Sequence, residues 1–339
     1  MLDDICLTST RYFLLLTELL EEKGVSIQRV LVDTGVELSE LKNPENHLNL
    51  KQTEKLLTNA NRLSSDDYLG VQLGQRMNVG SHGVIGFAGL TSKNARESLL
   101  FAVRYFPIAT SVMSLRFYED EEFGYLEIRP ADNVPDLVER FVIQTIVSTF
   151  DVMMRYLIGS ALDGAFVELA YEPQEEVADY IQNSHVDIRF NKTAHRLVFP
   201  QQALNTPFAL ADATAKQQAV SQCEEKLNQL ENNQSFSARI YQQLLSADET
   251  IPSIEEVADY LHISSRTVRR HLEKEGVSYR DLVNQARIDK AMKLMRKKYT
   301  SITQVAYQLG YGDSANFTRA FKRITGITPS EYRAEHIDK

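Results

Sequence analysis

Two short stretches in the last third of the chain bring together side chains that suit contact with base edges, most of them through directional or bidentate hydrogen bonds. They contain Arg266, Arg269, Arg270, Ser314, Ala315, Asn316, Arg319 and Lys322. An arginine guanidinium binds the edge of guanine through two parallel hydrogen bonds, an asparagine amide does the same for adenine, and an alanine methyl contacts only the methyl of thymine. This combination predicts a surface that reads base edges in the major groove of double-stranded DNA.

An internal repeat accounts for the position of these side chains. The matched pairs are Val257 with Val305, Ala258 with Ala306, Leu261 with Leu309, Val268 with Phe317, Arg270 with Arg319, and Leu272 with Phe321. The spacing is 48 residues for the first three pairs and 49 for the others, so the extra residue falls in the turn between two helices. The pattern therefore indicates two helix-turn-helix units, in residues 253–278 and 301–328.

In each predicted unit, the second helix presents its arginines on the face opposite its apolar residues. Val268 and Leu272 have the i,i+4 spacing of a buried stripe, and Ser264 is a suitable N-cap. In the second unit, Asp313 takes the capping role and Gly310 permits a tight turn. A single unit of this kind would equally be a solvated basic helix, whereas two units with the same outward arginine favour DNA recognition.

The charge distribution agrees with a DNA-binding carboxyl end. The whole chain has a net charge of −9, with 37 Lys+Arg and 46 Asp+Glu. Residues 236–339 contain 17 of these basic and 13 of these acidic residues, a net charge of +4, which leaves −13 for the preceding part. Such asymmetry suggests a nucleic-acid partner for the basic part.

A family resemblance rests on many positions in this carboxyl-terminal part. They are Val257, Ala258, Leu261, Ser264, Arg266, Leu272, Arg287, Ala291, Val305, Ala306, Gly310, Tyr311, Phe317, Ala320, Phe321, Lys322, Gly326, Ile327, Thr328, Pro329, Tyr332 and Arg333. About the last hundred residues resemble the DNA-binding domain of the AraC/XylS family of transcription activators. The resemblance implies that two recognition helices enter successive major-groove segments of promoter DNA, and that the protein contacts RNA polymerase.

By position, the resemblance assigns base reading to Arg266, Arg269 and Arg270 in the first helix and to Ser314, Ala315, Asn316 and Arg319 in the second. A helix near residues 279–296 would hold the two units about one DNA turn apart. We expect Arg287 to be structural and His271 to point inward. Lys297 and Lys298 could contact phosphate, or they could form a solvated basic turn.

The first two hundred residues are predicted to form an α+β sensing domain, with an all-α domain following it. Periodicity predicts helices over residues 10–22, 51–63, 67–76, 95–110 and 137–158, a hairpin over 114–129, and short strands over 166–171, 187–190 and 196–199. Leu69-Gly70-Val71-x-Leu73-Gly74, Gly80-x-x-Gly83-x-x-Gly86 with Leu90, Phe190-Asn191, Leu197-x-Phe199-Pro200 and Leu204-Asn205-x-Pro207 resemble an arabinose-binding-like domain of the same family. The resemblance implies a small-molecule effector or a dimerising role.

The glycine-rich stretch Gly80–Gly89 lacks the Gly-Lys-Ser/Thr ending of a phosphate-binding loop, so its glycines indicate close helix packing. His82 and Arg104 could face a small anion, but structural roles are favoured.

We predict three parts in the chain: an effector-binding domain over residues 1–212, a helical linker over 213–235 and the DNA-binding domain over 236–339. Within the linker, Val220, Cys223, Leu227 and Leu230 follow a three-four spacing. This stripe is either the seam of a homodimer or the face of a connecting helix that packs on its own domain.

Other functional classes find less support. Cys6 and Cys223 lie far apart without a histidine pair, so we expect reduced thiols with packing roles, and no metal site. No catalytic set is evident, so we expect neither an enzyme nor a cofactor. The first residues do not show the pattern of a signal peptide, and no segment comes close to about 20 apolar residues, so we expect a cytoplasmic, nucleoid-associated protein without a membrane partner. A ligand-independent regulator, controlled by abundance or by a protein partner, stays open.

Overall fold

The chain folds as two compact units, residues 2–230 and residues 231–339. A computed structural model describes residues 7–131, 134–172, 186–233, 235–247, 251–295 and 301–337. The first unit mixes helices with sheets, and the second contains helices and no strand among its described residues. The predicted fold class, an α+β domain followed by an all-α domain, is confirmed.

The helices of the first unit mostly follow the predicted periodicity. They are α1 (Thr10–Glu22), α2 (Ile27–Val30), α3 (Leu38–Leu41), α4 (Leu50–Ser64), α5 (Leu69–Arg76), α6 (Val84–Leu90), α7 (Ala95–Tyr105), α8 (Asp136–Ile158), α9 (Gln201–Asn205) and α10 (Ala213–Asn233). Helix α7 ends earlier than the predicted residue 110. Pro107 follows its last turn and lies in a 3₁₀ turn, Phe106–Ile108, because proline restricts the preceding residue and cannot donate a helical hydrogen bond.

The first unit has two sheets. The strands are β1 (Leu7–Ser9), β2 (His47–Asn49), β3 (Met113–Glu119), β4 (Phe123–Pro130), β5 (Phe166–Glu168), β6 (Asp187–Arg189) and β7 (His195–Pro200). Strands β1 and β2 form a separate pair, and the other five form a sheet of order β3-β4-β7-β5-β6, in which β5 and β6 are parallel and the other neighbours are antiparallel. The predicted hairpin is confirmed. Strand β5 ends before the predicted residue 171, and three of its residues pair with β7.

Helix α8 is the core helix of the first unit. By length and composition alone it could cross a membrane, contrary to the sequence expectation. Residues 141–158 contain only two charged side chains, and these pair with each other, Arg155 Nε lying 2.8 Å from Asp151 Oδ1. Val138 and Ile143 on the same helix are fully buried in the core of the unit. The apolar composition therefore reflects packing against other helices.

Two glycines allow α5 to lie against α8. A Cβ atom on Gly74 would stand 2.5 Å from the carbonyl oxygen of Thr145 and 2.7 Å from Cβ of Ser148. A Cβ atom on Gly70 would clash with the carbonyl oxygen of Phe141. The glycines of this motif are therefore explained by close backbone approach between the two helices.

The linker helix α10 packs on the first unit through the stripe noted in the sequence. Cys223 is fully buried in a small cluster with Phe101 and Tyr105 of α7, and Val220 and Leu227 are half-buried against the same cluster. Glu224 of α10 accepts hydrogen bonds from the Tyr105 hydroxyl at 2.6 Å and from the Arg104 guanidinium at 2.5 Å. The stripe was predicted to be either a homodimer seam or the face of a connecting helix. Its described contacts are those of a connecting helix that packs on its own domain.

The second unit is built from seven helices among its described residues. They are α11 (Phe236–Ser246), α12 (Ile254–Tyr260), α13 (Ser265–Lys274), α14 (Tyr279–Met295), α15 (Ile302–Gln308), α16 (Ser314–Thr325) and α17 (Pro329–Ile337). Helix α14 packs against α11, α15 and α16, and α11 also packs against α13. Together α11 and α14 join the two helix pairs α12–α13 and α15–α16 into one body.

Candidate DNA-binding surface

The first helix pair is held by caps and buried apolar side chains. The Ser253 hydroxyl caps α12, and the side chain of Glu256 returns a bond to the Ser253 N–H; these hydrogen bonds lower the pKa of Glu256. The Ser264 hydroxyl accepts from the backbone N–H of Thr267 at 3.1 Å, which confirms the predicted N-cap of α13. Val268 and Leu272 bury the inner face of α13 almost completely. The opposite face of α13 is thereby fixed outward.

That outward face carries three exposed arginines, Arg266, Arg269 and Arg270. Arg269 Nη2 lies 3.7 Å from Glu255 Oε1, but the side chains are 56% and 65% exposed, so the pair is weak and easily exchanged for another partner. The three arginines that the sequence predicted on one surface of α13 are therefore accessible together.

In the second helix pair, capping and side-chain orientation are connected. Asp313 Oδ1 accepts the backbone N–H of Asn316 at 2.6 Å, and Asp313 Oδ2 accepts the Asn316 side-chain amide at 2.7 Å. The Asn316 Oδ1 atom in turn accepts Nη2 of Arg319 at 2.6 Å. The predicted N-cap Asp313 is confirmed, and it also orients two of the predicted recognition side chains.

The remaining predicted residues of α16 differ in exposure. Ala315 and Lys322 are exposed, whereas Ser314 is half-buried and its carbonyl accepts the Thr318 hydroxyl at 2.8 Å. Arg323 is also exposed beside Lys322 in the last turn. Sequence reasoning did not single out Arg323, although the adjacent basic pair was a visible signal.

Aromatic side chains pack on the buried face of α16. Phe317 and Phe321 are fully buried, their rings 5.7 Å apart, and Tyr311 and Tyr332 contact this pair edge-on. The Arg287 guanidinium of α14 lies over the Tyr311 ring, 5.6 Å from its centroid. This contact joins α14 to the turn of the second pair.

Two side chains near this surface, His271 and Tyr279, contact the protein itself. The ring of His271 is half-buried, 4.9 Å from that of Phe236 in α11, so it faces the protein as predicted. Burial raises the pKa of Tyr279 to about 12, and its hydroxyl donates to the carbonyl of Pro252 at 2.7 Å. Lys297 and Lys298 lie outside the described residues.

The first unit contains a cavity of about 130 Å³. Tyr12 and Thr53 are among its lining residues, and sequence analysis missed both. They had no distinguishing signal, because residues around a cavity share the periodicity of a filled core. His82 also lines it and bonds Tyr12, while Arg104 pairs with Glu224; these contacts agree with the structural roles favoured for both residues.

Two helix-turn-helix pairs with outward arginines define a DNA-binding transcription regulator. The model of the arabinose-binding domain of AraC transcription regulators matches residues 24–208, and a helix-turn-helix domain model matches residues 257–335. The chain belongs to the AraC family of transcription regulators. The family is one of regulators, not of enzymes.

Two relatives and one solved structure are similar to this chain. The ornithine utilization regulator of Pseudomonas aeruginosa is 31% identical over 319 residues, which is 94% of each chain. The regulator VqsM of the same species is 27% identical over 78% of this chain and 83% of its own length. The crystal structure of CdpR, also from P. aeruginosa, aligns with 95% of this chain and 98% of its own, at 22% identity and a TM-score of 0.49.

Proposed function

We propose that this protein is a cytoplasmic, sequence-specific transcription activator that responds to a small-molecule effector. Residues 1–212 bind the effector, residues 213–235 connect the domains, and residues 236–339 bind promoter DNA. RNA polymerase is the partner at the promoter. The observation that carries the proposal is the equivalent placement of Arg270 and Arg319 on two outward helix faces, each opposite two buried side chains four residues apart.

In this proposal, α13 and α16 each enter the major groove. Arg266, Arg269 and Arg270 read bases from α13; Ser314, Ala315, Asn316 and Arg319 read them from α16, and Lys322 adds a contact to the DNA. Arginine favours guanine and asparagine favours adenine, while Ala315 contributes only methyl contact with thymine. The Asp313–Asn316–Arg319 hydrogen bonds support a preordered reading surface, because they hold two of these side chains before DNA arrives.

The experiment selects the preferred operator from random duplexes and then measures binding at fixed salt. Arg319→Ala should weaken operator binding by ~1–3 kcal/mol and relax base preference at one position, since one bidentate contact is lost. Arg270→Ala should do the same at a different position. Arg239→Ala serves as the matched control, because Arg239 is exposed on α11 and outside both helix pairs. Wild-type affinity and base preference in both test variants would reject the assignment.

Activation and effector response have their own tests. Transcription in vitro from the selected operator, with RNA polymerase present, should rise when the protein is added, whereas a repressor would lower it. The effector is sought by a thermal-shift screen of sugars, fatty acids and amino acids. Amino acids are included because one relative is named for ornithine utilization. A ligand of the native state raises its stability. Silence across a broad library would favour control by abundance or a protein partner.

We also propose a homodimer. Because the stripe formed by Val220, Cys223 and Leu227 packs on its own unit, we expect the dimer contact to lie outside this stripe. Sedimentation equilibrium of the full chain should report twice the monomer mass. A Leu227→Ser variant that dissociates without loss of folded structure would contradict this placement of the dimer contact.

A further inference from the structure

The cavity of the first unit is large enough for a small ligand. Its volume of about 130 Å³ is close to that of an apolar protein cavity of about 150 Å³ that binds benzene. The walls come from α1, α4, α5, α7 and α8, with Leu57, Leu73, Met77 and Phe141 among the apolar side chains. None of the described lining residues is Asp, Glu, Lys or Arg.

Two polar atoms in this apolar wall lack partners among the described residues. They are Oγ1 of Thr53, a residue only 1% exposed, and Nε2 of His82. Both residues line the cavity. Buried polar atoms are almost always hydrogen-bonded, since leaving one unpaired is costly. An unpaired polar atom on a lining residue is therefore a candidate partner for a polar group of a bound molecule.

The other ring nitrogen of His82 is already used. Nδ1 lies 3.2 Å from the Tyr12 hydroxyl, so Nε2 is the ring nitrogen without a partner among the described residues. When Tyr12 donates to Nδ1, Nε2 carries the proton and donates to an acceptor. Burial and, to a smaller extent, the nearby charge of Arg11 lower the pKa of His82 to about 4, so the imidazole is neutral at neutral pH. The wall then carries no formal charge.

We propose that this cavity is the effector site of the protein, and that it takes a small neutral molecule with an apolar body and a single carbonyl or hydroxyl group. The polar group bonds His82 and Thr53, and the body contacts the apolar wall. A zwitterionic amino acid is excluded from this cavity, because its charges would be buried without partners. This inference rests on the proposed effector response.

The same cavity adjoins the linker helix through one side chain. Phe101 lines the cavity and belongs to the cluster that holds Ala219 and Cys223 of α10. A molecule in the cavity fills the space beside Phe101 and restricts its movement. Occupancy should therefore reinforce the packing of α10 on the first unit.

The test uses the full chain and four probes of similar size: acetophenone, cumene, benzoate and L-ornithine. Calorimetric titration and thermal shift should both report saturable binding of acetophenone. Cumene lacks the carbonyl and should bind roughly thirtyfold more weakly, because it loses two hydrogen bonds of ~1 kcal/mol each. Benzoate and L-ornithine should not bind. Binding of either charged probe at this site, or no binding of acetophenone, would overturn the proposal.

Two variants locate the bound probe. Thr53→Val and His82→Leu should each reduce the preference of acetophenone over cumene while cumene binding is kept. Thr58→Val is the control, because Thr58 lies on the exposed face of the same helix, α4. If His82→Leu fails to fold, Thr53→Val, which keeps the shape of the side chain, decides alone. An unchanged preference in Thr53→Val would overturn the placement.

The same proteins are assayed for operator binding without probe. A chain that binds its operator normally but ignores acetophenone would refute the ligand class alone. Loss of operator recognition in the unmodified chain would instead refute the proposed function. The two failures are thus distinguishable.

Discussion

His262 and Gly310 occupy the same turn position in the two helix-turn-helix pairs, and both have left-handed backbone geometry, with φ of +54° and +77°. The first repeat therefore contains a side chain where the second uses glycine. A non-glycine residue in this region is disfavoured by contact between its Cβ and the following carbonyl. The repeat was visible in the sequence, but this difference in backbone strain between its copies was not.

We predict that His262→Gly raises the free energy of unfolding of the carboxyl-terminal unit by up to ~1 kcal/mol, because it relieves this conformation. Gly310→Ala should lower it by about the same amount, although no atom lies within 4 Å of the added Cβ. Urea unfolding of the two variants measures both changes. Equal and opposite shifts are expected; a destabilised His262→Gly would show that its side chain contributes more than its backbone costs.

Gly74→Ala should destabilise the first unit by ~1–3 kcal/mol. The added methyl would overlap the backbone of Thr145 on α8 and force the two helices apart. Gly312→Ala is the control, since nothing lies within 4 Å of a Cβ atom there and its φ is ordinary. Chemical denaturation followed by far-ultraviolet circular dichroism measures both. A Gly74→Ala protein as stable as the control would contradict the close approach of α5 and α8.

The neutral state of His82, a half-buried residue, should make the stability of the first unit depend on pH. Its pKa is near 6.5 in the unfolded chain and about 4 in the folded chain. Between these values the unfolded chain binds more protons, so stability rises with pH and is lost as pH falls from about 6.5 toward 4.

His82→Gln should remove this part of the pH dependence, as measured by denaturation across that range. His262→Asn is the control, because His262 is exposed and asparagine tolerates its backbone conformation. An unaltered difference between pH 7 and pH 4.5 in His82→Gln would refute the role of His82.

Cys223 should be chemically inert in the native protein. It is fully buried, and burial raises the pKa of its thiol to about 11. In a Cys6→Ser background, alkylation by iodoacetamide at pH 8 should be about two orders of magnitude slower than for the urea-unfolded chain, because the thiolate is the reactive form. Comparable rates in the two states would mean that α10 separates readily from the first unit.

The sequence by itself determined the features that local patterns encode. The apolar pairs four residues apart, the caps Ser264 and Asp313, and the tandem repeat predicted the helices and their outward arginines. Helix and strand boundaries shifted where a longer-range contact or a proline intervened, as at Pro107. These features are readable because they depend on periodicity and on a few backbone preferences.

Only the tertiary structure decided which apolar residues fill the hydrophobic core and which line a cavity. Thr53 and His82 belong to separate elements, and nothing in their local sequence reveals that both face one cavity with a polar atom unpaired. The stripe on α10 had two interpretations until its partner surface was known. Burial and pairing depend on residues far apart in the chain, so a local pattern can state that a face is apolar but not what covers it.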